Sequence, residues 1–80
     1  MGQLVEAPVE SNQQKDDLIK ALDYIQKSIN HNPEYVDAYI QYGKICIQLG
    51  QKDNALKYFS HAMKLDPQNK EAVSLKKKYM

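Results

Sequence analysis

Eighty residues, eleven of them lysine and ten acidic, carry a formal net charge of only +1. A chain this short buries little surface relative to its length, which argues against a deep catalytic cleft and leaves room for a shallow surface site. The balanced charge gives no electrostatic case for nucleic acid, and the complete lack of arginine weakens phosphate-binding readings, because bidentate capture of phosphate favours a guanidinium.

Residues 1–11 hold Pro8 and no sustained apolar periodicity, and they read as a flexible N-terminal tail. Met1 to Glu6 lack an apolar run long enough for a signal peptide. Glu6 stands where a myristoylation motif wants Ser or Thr. The folded part is then expected over residues 12–80. Ser11 followed by Gln14 is a capping-box signal, so a first helix is predicted from about Asn12 to Asn30. Leu18, Leu22, Ile25 and Ile29 recur in it at helical spacing. Pro33 stops it by holding Asn32 extended, and the same proline suits the first turn of a second helix.

That second helix runs to Leu49 and stops at Gly50, a natural left-handed terminator. Val36, Ala38, Tyr39, Ile40, Tyr42, Ile45, Cys46, Ile47 and Leu49 leave it few polar positions. A helix apolar nearly all round must be covered on more than one side. A third helix is predicted from Lys52 to Leu65, with Ala55, Leu56, Phe59, Ala62 and Met63 as its apolar stripe and Lys57, His61 and Lys64 outside it. Asp66-Pro67 closes it, and Asn69 can cap a fourth helix from Lys70 to Tyr79. Lys76, Lys77 and Lys78 read as a solvated face near a helix C-terminus, where cations complement the dipole. Connections this short make neighbouring helices antiparallel. The fold class is therefore all-α, with about four helices in antiparallel hairpins.

The chain also repeats itself. Ala21-Leu22-Asp23-Tyr24-Ile25 returns 34 positions later as Ala55-Leu56-Lys57-Tyr58-Phe59, Pro33 as Pro67, and Asp37-Ala38 as Glu71-Ala72. A fixed period of this size is the mark of stacked helical hairpins. Tyr24, Tyr39, Tyr42 and Tyr58 fall at repeat-defined places and are expected to be core or half-buried. His31, His61 and Cys46 show no metal-ligand spacing. No phosphate loop or nucleophile motif occurs, so neither a cofactor nor an enzymatic activity is expected. The lone Cys46 rules out an internal disulfide and suits a reducing, cytoplasmic compartment. No stretch has the apolar length of a membrane span.

Residues 36–69 resemble a tetratricopeptide repeat (TPR), whose pattern is Trp-x2-Leu-Gly-x2-Tyr, Ala-x3-Phe and then Pro. Here it reads Tyr39-x2-Tyr42-Gly43-x2-Cys46, Ala55-x3-Phe59, Ala62 and Pro67. Tyr39 replaces Trp, while Tyr42 for Leu and Cys46 for Tyr are departures. Gly43 and Ala55 are small where two helices would cross closely, and Phe59 would fill the space between them. Residues 12–33 resemble the second half of a preceding unit through Ala21, Ile25 and Pro33. Residues 70–80 resemble a capping helix, because Lys76 and Lys77 occupy the Leu-Gly places. The resemblance implies a short right-handed α-solenoid fragment.

At about 100° per residue, Asp37, Ile40, Lys44, Ile47 and Gln48 share one face of the second helix. The resemblance places that face on the concave groove, where a peptide or helix of a partner protein docks, so these five are the candidate partner-binding residues of a non-catalytic adaptor. Packing under the first helix or under another copy is the open alternative for Ile40 and Ile47. Ile40 and Gln41 stand where the chaperone-tail clamp of some TPR proteins has polar ligands, so that ligand class is not expected. The competing function is structural: the incomplete units at each end pair copies into a homodimer or a helix-exchanged array.

Overall fold

The punctuation of the sequence becomes the order of helices: α1 (Gly2–His31), α2 (Val36–Gln48), α3 (Lys52–Leu65) and α4 (Lys70–Tyr79). A computed structural model describes residues 2–80 and the side chains of residues 14–80. Contacts between helices run mainly from each to the next, and the α2–α3 hairpin is the most extensive of them.

Two connections repeat each other atom for atom. In the first, Asn32 Oδ1 accepts from Glu34 N at 3.2 Å, and Tyr35 N donates to Asn32 O at 3.0 Å. In the second, Asp66 Oδ1 accepts from Gln68 N at 3.3 Å, and Asn69 N donates to Asp66 O at 3.1 Å. Each is a tight turn with Asx at its first position and proline at its second, the pair of residues such turns favour. Pro33 therefore sits in the turn and not in the first turn of α2, which starts at Val36 behind Tyr35. The proline stays useful there because its ring fixes the φ that the turn requires. The sequence echo is thus an echo of backbone geometry.

The α2–α3 connection differs. Gln51 N reaches Cys46 O at 2.8 Å and Gly50 N reaches Ile47 O at 3.0 Å, with Gly50 at φ 78°. This is the Schellman closure, which needs a left-handed residue just past the helix. Asn69 Oδ1 accepts from Ala72 N at 3.0 Å and caps α4 as its residue type predicts.

The N-terminal end differs from its sequence-based expectation. The backbone is helical from Gly2, ten residues before the start expected near Asn12, so Ser11 lies within the helix and does not begin it. Glu6, Ala7, Glu10, Gln13 and Gln14 are favourable helix formers and can carry a helix in that direction. The stretch expected as a flexible tail over residues 1–11 is thus helical in its backbone from Gly2, and the side chains of residues 2–13 lie outside the described ones.

The core lies where the helices converge. Ile29 of α1, Ala38, Tyr39 and Ile40 of α2, Ala62 of α3 and Ala72 of α4 form one buried cluster. Cys46, Ala55 and Phe59 form the other. Alanines dominate because they let helix backbones approach closely, and Phe59 and Ile40 supply the bulk. Full burial of a side chain of either kind stabilises by about 1.5–3 kcal/mol. Burial raises the pKa of the Cys46 thiol, so it behaves as a small apolar filler rather than a nucleophile.

Candidate functional site

Solvent exposure divides the five candidate partner-binding residues. Asp37 and Gln48 are exposed, while Lys44 and Ile47 are half-buried. Ile40 is only 1% exposed. It lies in the cluster that holds Ile29 and Ala72, so it forms the floor of this face and is not available on its surface. Its cluster draws on all four helices, with Ile29 of α1, Ala62 of α3 and Ala72 of α4, so its burial comes from the convergence of the helices. Ile47 packs at the margin of the Phe59 cluster and keeps part of its surface free.

Lys44 Nζ pairs with Glu71 Oε2 of α4. The face is therefore not carried by α2 alone. The ion pair joins the two helices across one surface and supplies a cation and a carboxylate side by side. Glu71 is exposed and Lys44 only half-buried, so the pair is screened by solvent and contributes at most about 1 kcal/mol. An incoming charged group can displace either partner cheaply.

A second surface was not marked as a site by the sequence. Tyr39, Tyr42, Gln51, Asn54, Lys57, Tyr58 and His61 line a cleft of about 400 Å³ between α2 and α3. Tyr39 and Tyr42 lie roughly 140–160° around α2 from Lys44, at about 100° per residue, so the cleft opens away from the α2–α4 face. Tyr42 and Tyr58 stack with ring centroids 4.0 Å apart, and Tyr39 lies 4.3 Å from the His61 ring. Tyr39 Oη donates to Pro33 O at 2.6 Å, which fixes its ring. Burial, aided by a hydrogen bond and charge interaction with Tyr42, pushes the Tyr58 phenol up to about 12. A faint signal existed: Asn54, Tyr58 and His61 recur at i, i+4 and i+7 on α3, a polar–aromatic stripe beside the apolar one.

Tyr24 departs from the buried role expected of it. It is 74% exposed, although its counterpart 34 positions on, Tyr58, is half-buried. Tyr58 stacks on Tyr42, whereas the residue 34 positions before Tyr42 is Pro8, which offers no aromatic ring. His31 is exposed and Cys46 buried, and among the described residues no group of three His, Cys, Asp or Glu side chains could hold a metal ion. Among them, too, no helix is long and apolar enough to cross a membrane.

The family model described as "Tetratricopeptide repeat" matches residues 36–69. A UDP-N-acetylglucosamine–peptide N-acetylglucosaminyltransferase of Giardia intestinalis is 36% identical over 53 residues, 66% of this chain. The chain spans 4% of that relative's length.

Proposed function

We propose that this chain, a member of the tetratricopeptide repeat family through residues 36–69, is an adaptor module that holds a peptide or helix of a partner protein on the face shared by α2 and α4. Repeats of this family mediate protein–protein interaction and are non-catalytic. In this reading α1 serves as the second half of a preceding unit and α4 as a cap. The cytoplasm is the compartment that suits the single unpaired Cys46.

The Lys44–Glu71 pair carries the proposal. It makes α2 and α4 present one continuous surface, with Asp37 and Gln48 exposed along it, Ile47 partly free, and buried Ile40 stiffening the floor. A partner with an apolar residue for Ile47 and a charge for either member of the pair fits this surface. A pull-down from native lysate with the Asp37→Lys/Gln48→Glu double variant tests it. Both residues are exposed, so the fold should be kept, with melting lowered only by the roughly 0.3–1 kcal/mol that each charge costs against the helix dipole, while a partner retained by the wild type is lost. Equal retention by both proteins would overturn the proposal.

One observation favours the structural reading. Tyr24 and Ile19, at 74% and 49% exposed, leave large apolar groups uncovered on α1, and a second copy could cover them. In sedimentation at rising concentration this reading gives a dimer that Ile19→Lys/Tyr24→Ser dissolves. A strict monomer would remove it.

A further inference from the structure

We propose that the cleft between α2 and α3 is a second binding site, independent of the α2–α4 face, which takes an aromatic group bearing a carboxylate. Its size comes first. A volume of about 400 Å³ lies within the roughly 300–1,000 Å³ range of small-ligand sites, enough for one ring and its acidic group.

The walls are aromatic and held in place. The Tyr42 and Tyr58 rings are stacked at an interplanar angle of 26°. Tyr39 stands 6.3 Å from Tyr58 and is fixed by its hydrogen bond to Pro33 O. Rings immobilised this way offer a planar guest a surface without further ordering cost.

The charge of the lining selects the guest. Lys57 and His61 are its ionisable nitrogen groups, and no aspartate or glutamate lines the cleft. Among the described residues, neither Lys57 nor His61 takes part in a salt bridge. Asn54 Nδ2 donates to Gln51 Oε1 at 3.1 Å, and among the described residues the Gln51 amide nitrogen has no acceptor and can donate to a guest. The Tyr58 hydroxyl is engaged with Tyr42, so this residue offers the guest its ring and not a free proton. A cation beside fixed donors and π surfaces suits a carboxylate on an aromatic ring. It disfavours a cationic guest, which Lys57 would repel.

The test is a ¹⁵N–¹H NMR titration of the whole chain at neutral pH with three probes: N-acetyl-phenylalanine, its uncharged amide, and inorganic phosphate. The acid should give saturable shifts confined to residues 39–42 and 51–61, with affinity at least about threefold above the amide, the size of one exposed charge interaction. Lys57→Gln, at an exposed position, should reduce the acid to the affinity of the amide without changing the melting temperature. Four results would overturn the proposal. They are no saturation by about 10 mM acid, a concentration that suffices for weak millimolar binding; equal affinity of acid and amide; the same shifts with phosphate alone; and an acid affinity that Lys57→Gln leaves untouched.

Discussion

Gly43 of α2 lies flat against the ring of Phe59 in α3: a Cβ added to the glycine would stand 2.7 Å from Phe59 Cδ1 and 2.9 Å from Cζ. Phe59 is fully buried, so its ring has nowhere to retreat. This contact sets the separation of the two helices that carry the repeat.

Gly43→Ala follows from it. Helix propensity alone would favour alanine by about 1 kcal/mol. Overpacking against a ring that cannot move costs about 1–3 kcal/mol, and the clash should win. Thermal unfolding by circular dichroism should show a lower Tm. Gly43→Ala/Phe59→Leu should recover part of the loss relative to Phe59→Leu alone, because the smaller side chain frees the space. A Tm that rises in Gly43→Ala would contradict the crossing.

Gly50 makes a contrasting case. Its φ is 78° and nothing lies within 4 Å of an added Cβ. Gly50→Ala should cost about 1 kcal/mol through backbone strain alone. Denaturant unfolding should show a lower midpoint with an unchanged slope, and no second-site change in Phe59 should restore it.

Most of the fold was legible in the sequence because its boundaries are written in residues with one physical meaning. Gly50, Asp66-Pro67 and Asn69 end or begin helices for reasons of φ, ring geometry and hydrogen bonding, and α3 and α4 begin and end where those residues indicate. Pro33 was legible as a break but not as a turn residue, because both places accept proline. The candidate site was less legible. Periodicity puts Ile40 and Lys44 on one face, but the burial of Ile40 depends on how the helices converge. No spacing along α2 foretells that Lys44 meets Glu71. The aromatic cleft was hidden because Tyr39, Tyr42 and Tyr58 read as core or half-buried, and only the packed hairpin shows that Tyr42 and Tyr58 stay partly open beside Lys57 and His61.

Tyr58 gives a pH prediction. Its phenol has a folded-state pKa near 12 against an ordinary 10, so the native state favours the neutral form. That contribution is fully present below pH 10 and is lost as pH rises through 12. Stability should fall across this alkaline window, and Tyr58→Phe should flatten the fall. Ultraviolet titration of tyrosinate beside chemical unfolding at each pH checks it; equal slopes in wild type and variant would contradict it.

Lys44 and Glu71 should matter little for folding. Lys44→Met should shift stability by less than about 1 kcal/mol, the range of exposed ion pairs, as read by urea unfolding. A loss several times larger would mean that the pair holds α4 in place.

Site-specific cross-linking reads out whether the α2–α4 face receives a partner protein. A photoreactive amino acid placed at Gln48, on that face, is compared in native lysate with one at the exposed Asp53 at the start of α3. A discrete cross-linked protein is expected from position 48, absent from position 53 and diminished by Lys44→Glu. The same products from both positions, or products from position 48 made only of this chain itself, would contradict it.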